Sequence, residues 1–218
     1  MKLKKRGRES MDNIDKRINS EDKIMLEFGR QMVHLLAGIV VISILTLFFL
    51  TSTQWNFFSL AFFLGILYVW LFIIFLKKRG VHLPLIDQLI KSLGWRDVFP
   101  GEGAVWYLLG VLLILSFLNK FLYVISSIYI LAIGDSVSTM FVEFAKSEKE
   151  RKRFSLFKNK TPLSFGAFVL FSLPLPIFLI GAKALFLVVL CAIFEAIDFK
   201  LNDNFLIPLI CVLFLFFS

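Results

Sequence analysis

Long apolar runs alternate with short polar connections along this chain, and that alternation predicts helices that cross a membrane. The first run, Val33 to Leu50, comes after roughly thirty charged and polar residues. That stretch is too long for the head of a signal peptide, so the run reads as an uncleaved span. The second run, Phe57 to Leu76, is twenty residues without a charge. The third starts near Gly103 and reaches Leu118; the fourth starts at Phe121 and takes in Asp135 to reach spanning length. The fifth lies between Pro162 and Ala182, with kinks expected at Pro174 and Pro176. The sixth covers Ala184 to Ile197, and the seventh Phe205 to Ser218, extended back to take in Asp203. Lys183 is the only charge between Pro162 and Phe194, so a six-span division differs there. The predicted fold is all-α, a polytopic transmembrane bundle of about seven spans. Residues 33–218 form one domain behind a basic N-terminal segment, 1–32.

One connection carries its own pattern. Leu85, Ile86, Leu89, Ile90 and Leu93 recur at helical spacing between Pro84 and Gly94. That predicts a short amphipathic helix over 84–94, lying in the membrane interface.

Composition agrees with the pattern. Hydrophobic residues are 58% of the 218 and charged residues 18%, with 27 phenylalanines. Soluble domains sit nearer ~45–50% and ~25%. The net charge of +8 would suggest nucleic acid in a soluble protein. Here the basic residues fall between apolar runs, which points to membrane lipids as partners and no nucleic acid. With seven spans, 22 of the 24 Lys and Arg residues lie in connections on the N-terminal side. The positive-inside rule makes that side, and the N-terminus, cytoplasmic, most simply in the cell membrane. Cys191 and Cys211 lie inside apolar runs and read as buried small hydrophobes. With His34 and His82 the only histidines, a structural zinc site lacks ligands.

Ionisable groups in or beside spans are costly and usually functional, and here they gather at the cytoplasmic ends. Glu27, Arg30 and His34 share one helix face by their spacing of three and four. Gly101-Glu102-Gly103 opens the third span, where glycines let backbone approach a ligand and a helix N-terminus favours an anion. Gly134-Asp135-Ser136 puts a carboxylate inside an apolar helix, with the hydroxyls of Ser138 and Thr139 one turn later on the same face. Such an aspartate suits Mg²⁺, and a structural pair with an arginine is the alternative. Lys160 and Thr161 stand before the fifth span, where they can reach phosphates. Glu195 falls near a span end, and Asp203 and Asn204 offer hard oxygen ligands at the start of the last span.

In order, these clusters resemble the CTP-dependent polyprenol kinases, the family of dolichol kinase, phytol kinase and the CTP-dependent diacylglycerol kinases. Residues 27–38, Glu-Phe-Gly-Arg-Gln-Met-Val-His-Leu-Leu-Ala-Gly, are similar to the family's opening helix. Residues 99–104, Phe-Pro-Gly-Glu-Gly-Ala, resemble its middle glycine block, and Ala132-Ile133-Gly134-Asp135-Ser136 its central block. Glu195-Ala196 with Asp203-Asn204 and Pro208 resembles its C-terminal block. Two elements depart. The family's Gly-Arg-x-x-Gly stretch is Val142-Glu143-Phe144 here, and its Lys-Ser/Thr-x-Glu-Gly element is Lys160-Thr161-Pro162-Leu163-Ser164.

The resemblance implies an integral membrane kinase that moves a phosphoryl group from CTP, with Mg²⁺, to a lipid alcohol. It implies catalytic roles for Asp135 and Glu27 and metal ligands in Asp135, Asp203 and Asn204. Arg30, His34, Gly101, Gly103, Gly134, Ser136, Lys160 and Thr161 would bind nucleotide or phosphate. A CTP-dependent cytidylyltransferase making a CDP-lipid is the near alternative, and a transporter the remote one, because transporters place polar groups at the midplane.

Overall fold

The computed structural model describes the backbone of residues 2–81, 84, 102–144, 161–197 and 201–218. Side chains are described from residue 25, apart from Leu26. The expected interfacial helix, Pro84 excepted, lies outside these residues, as do Gly101, Lys160 and Asp198. Among the described residues every regular element is helical, with no strand.

Helix α1 runs unbroken from Lys2 to Thr51. Its apolar part, Glu27–Thr51, is 25 residues, about 37 Å at ~1.5 Å per residue and so longer than a ~30 Å hydrocarbon core. Hydroxyls within it are satisfied locally: Ser43, Thr46 and Thr51 each donate at 2.8 Å to the carbonyl four residues back. A tight turn leads to α2, Trp55–Lys78. Helix α3 is Glu102–Phe117. Helix α4, Phe121–Tyr129, continues through a π-helical turn, Ile130–Gly134, into α5, Asp135–Phe144. Helix α6 is Pro162–Ser172 and α7 is Pro174–Ile180, with a 43° bend between them. Pro174, which brings no N–H to the ladder, stands at the break, as expected. Helices α8, Lys183–Ala196, and α9, Asp203–Phe216, complete the described structure.

By length and apolar character, three described helices can cross a membrane: Glu27–Thr51, Trp55–Lys78 and Phe121–Val142. The bent α6–α7 pair makes a fourth if it is one span. The seven expected spans are not all of this kind. Helix α3 has 16 residues and α9 has 14, or about 21–24 Å against the ~30 Å required. Proline and glycine at 174, 176 and 181 and the break after Ala196 divide the C-terminal half into short pieces.

The Phe121–Val142 segment is the centre of the bundle, with 61% of its most apolar window buried. The same share is 17% for Glu27–Thr51 and 11% for Trp55–Lys78, so those two lie at the periphery. Helix α9 packs along α3, α5 along α6, and α1 crosses α2, α5 and the π-helical turn. Outward faces are apolar, with Phe178, Leu50 and Tyr68 largely exposed, a surface that suits lipid rather than water.

Two close approaches hold this arrangement. A Cβ on Gly38 would collide with the Ala132 side chain, so α1 meets the π-helical turn through two small residues. A Cβ on Gly110 would collide with the Asn204 carbonyl and crowd Pro208, which draws α9 onto α3. Gly38→Leu should therefore lower the melting temperature in detergent, by the equivalent of about 1–3 kcal/mol for an overpacked contact. Gly65→Leu, where a Cβ meets nothing within 4 Å, should melt like the parent.

Candidate functional site

A cavity of about 620 Å³ opens between α1, α2, α3, α5 and the start of α9, within the usual size of a small-molecule site. Its polar end is built from four distant parts of the chain: Arg30 and His34, Gly103, Asp135, and Asn202-Asp203-Asn204.

On α1, the face predicted from spacing is real and continues down the helix: Arg30, His34, Ala37, Val41 and Ile44 all line the cavity. Glu27 is on the same face but turned to its neighbours. Its Oε1 accepts from Arg30 Nη2 at 2.7 Å and from Gln31 Nε2 at 2.9 Å. Arg30 and Gln31 line the cavity and Glu27 does not. Glu27, for which the resemblance implied catalysis, thus lies off the cavity lining and pairs with Arg30 across one helical turn.

Asp135 starts α5, immediately after the π-helical turn. A π turn holds about one more residue than an α turn, which rotates the downstream helix by roughly 100°. Asp135 Oδ2 consequently faces α1, 3.7 Å from His34 Nε2. Both side chains are mostly enclosed, at 15% exposure for His34 and 14% for Asp135. Thr139, one turn on, also lines the cavity. Ser138 does not share that face. It bonds Glu195 Oε1 at 2.6 Å, deep between α5 and α8. Glu195, 1% exposed, thereby ties two helices together away from the cavity.

At α9, Asn202 is the N-cap and its side chain accepts from the Asn204 N–H at 3.0 Å. Asn204 Nδ2 donates to the Gly103 carbonyl, at the long distance of 3.4 Å. That leaves Asn204 Oδ1 buried with no hydrogen-bond partner. Asp203 lines the cavity beside it. Among the described residues no three His, Cys, Asp or Glu side chains are grouped to hold a metal by themselves. Mg²⁺ does not need such a cage: it is commonly held by one or two carboxylates, with phosphate oxygens and water completing its shell. Asp135, Asp203 and the unpaired Asn204 oxygen fit that donor set.

Three further expected residues lie elsewhere. Gly134 is packed under Phe168 and Ser172, where a Cβ would come within 2.5 Å of the ring; it serves packing, not phosphate. Ser136 is buried outside the cavity lining. Thr161 caps α6: its Oγ1 accepts from the Ser164 N–H at 3.1 Å, and Ser164 Oγ accepts from the Thr161 N–H at 3.0 Å. Orphan N–H groups at a helix start claim a neighbouring hydroxyl first.

Sequence reasoning missed Gln31 and Tyr107 as cavity residues. Tyr107 had a positional signal, since it stands one helical turn after Gly103. Its ring meets the His34 ring edge-on, with centroids 4.7 Å apart.

Comparison with protein-family models, with curated proteins and with solved structures gives no match to this chain.

The cap makes a test. Thr161→Ala should lower thermal stability by about 0.5–2 kcal/mol, and Thr161→Asp, which can still cap, should restore it. A phosphate-binding threonine would behave otherwise: the aspartate would repel the anion and weaken nucleotide binding while stability recovered.

Proposed function

We propose that this protein is an integral membrane lipid kinase, transferring the terminal phosphoryl group of a nucleoside triphosphate to a lipid alcohol. The observation that carries the reading is the convergence of Arg30, His34, Gly103, Asp135, Asp203 and Asn204 on one cavity. Those residues come from all four sequence blocks that resemble the CTP-dependent polyprenol kinases. The resemblance names CTP as the donor.

Phosphoryl transfer depends mainly on positioning and charge neutralisation. Arg30, held by Glu27, grips a donor phosphate oxygen. Asp135, Asp203 and Asn204 would hold Mg²⁺, which would supply positive charge to offset the negative charge of the phosphates. The alcohol oxygen attacks the terminal phosphorus in line as the bond to the bridging oxygen breaks, giving a nucleoside diphosphate and a lipid monophosphate. The hydroxyl proton passes to Asp135, whose place next to His34 keeps it on the cavity side.

The purified protein should phosphorylate a long-chain prenol or diacylglycerol with radiolabelled CTP and Mg²⁺, and faster than with ATP. Asp135→Asn should cut turnover by roughly 10²–10³-fold, the scale of removing one preorganised electrostatic group, with unchanged melting. Near-normal turnover would remove Asp135 from the chemistry. Better use of ATP would mean that the altered 160–164 element changed the donor. Release of pyrophosphate with a CDP-lipid would replace the kinase by a cytidylyltransferase.

The seven-span topology belongs to this reading, since it gathers the polar ends on the cytoplasmic face. Single cysteines at Ser52 and Ser147, with Cys191 and Cys211 removed, should label from opposite sides of the membrane. Labelling of both from one side would overturn it.

A further inference from the structure

The cavity has a second half that the phosphate chemistry does not use. Below the polar end its wall is apolar: Ala37, Val41 and Ile44 from α1, Phe63 and Ile66 from α2, and Leu108 from α3. Phe63 and Val41 form a buried floor, at 2% and 6% exposure. The rim is different. Val33, Val40 and Ile66 line the same cavity and are also 36–55% exposed. The apolar half is therefore open sideways, between the two most peripheral spans, towards the hydrocarbon of a bilayer.

Two buried polar atoms stand where the halves meet. Tyr107 Oη and His34 Nε2 have no hydrogen-bond partner, and both residues line the cavity. A buried phenol and an imidazole nitrogen without hydrogen-bond partners are each costly in lost solvation. They mark a place for a polar group that arrives from outside. The Asp135 carboxylate is next to it, 3.7 Å from His34.

We propose that this half of the cavity is the binding groove for the hydrocarbon tail of a lipid alcohol that enters laterally between α1 and α2, with its hydroxyl received by Tyr107 and His34. The proposal rests on the kinase reading for the fate of that hydroxyl, but the groove itself is an independent claim. From His34, where the halves meet, to Ile44 the lining face of α1 is about 15 Å long at ~1.5 Å per residue. Tail beyond that length lies in the bilayer. Preference among alcohols should rise with chain length until the groove is filled and then level off. Tyr107 is a residue for binding the acceptor, not the nucleotide.

The full chain in nanodiscs, without nucleotide, is irradiated with a long-chain primary alcohol carrying a mid-chain diazirine, and labelled residues are mapped by mass spectrometry. Label is expected in Val33–Ile44 and Phe63–Trp70, and excess unmodified alcohol should displace it. Ala37→Phe and Ile66→Trp, which fill the groove from different helices, should each reduce it at least five-fold. Label spread over the outer faces around Phe57 and Phe178, indifferent to both substitutions, would overturn the groove. In the phosphorylation assay Tyr107→Phe should raise KM for the alcohol about five-fold, the scale of one lost hydrogen bond, and leave KM for CTP unchanged. An unchanged KM for the alcohol would overturn the hydroxyl contact. Displaceable label in a protein that transfers no phosphoryl group would uphold the groove while removing the kinase. Transfer with label that ignores both substitutions would do the reverse.

Discussion

A carboxylate in the most enclosed of the three membrane-length helices described needs compensation, and the structure is arranged to give Asp135 its surroundings. Burying an unpaired charge is too costly to tolerate without a partner or a cation. The π-helical turn Ile130–Gly134 rotates Asp135 towards α1, where His34 stands 3.7 Å away. That geometry holds only if α1 can come close. The Gly38–Ala132 contact lets it do so, because neither residue has a side chain long enough to separate the backbones.

The same economy of size works on the other wall. Gly110 lets α9 press onto α3, which carries Asn202, Asp203 and Asn204 to the cavity mouth. Asn204 then bonds the Gly103 carbonyl, so one side chain serves both helix docking and site geometry. Small residues thus set the backbone distances, and the polar residues beside them make the site. Buried pairs further in, such as Ser138 with Glu195, hold α5 against α8 without facing the cavity. The candidate chemistry lies at the junction between that polar end and an apolar groove open to lipid. An amphipathic substrate, with its head in one half and its tail in the other, suits both.

Much of this was legible in the chain. Apolar runs of up to about twenty residues, a scarcity of charge and the placing of Lys and Arg declare a helical membrane protein, because the bilayer imposes length and composition directly. Four short polar clusters at span ends announced the site, since charge is rare enough in such a sequence for each instance to be informative. The α1 face was readable because a single α-helix keeps its period. Pro174 announced the break between α6 and α7 for an equally local reason.

What the chain alone could not decide depended on three dimensions. Apolarity does not fix helix length: α3 and α9, packed on each other inside the bundle, are shorter than a membrane. Ser138 and Thr139 were assigned one face by α-helical spacing, and the fold separates them: Thr139 lines the cavity and Ser138 bonds Glu195. Thr161 and Gly134 looked like phosphate ligands by type, but a helix start claimed the hydroxyl and Phe168 the glycine. Tyr107 belongs to no motif, and only the meeting of α3 with α1 brings its ring against His34. Sequence by itself determined the solvent, the element type and the candidate polar residues, because these depend on local composition and period. Tertiary structure decided which of those residues meet, because that depends on backbone distances set by small residues far apart in the chain.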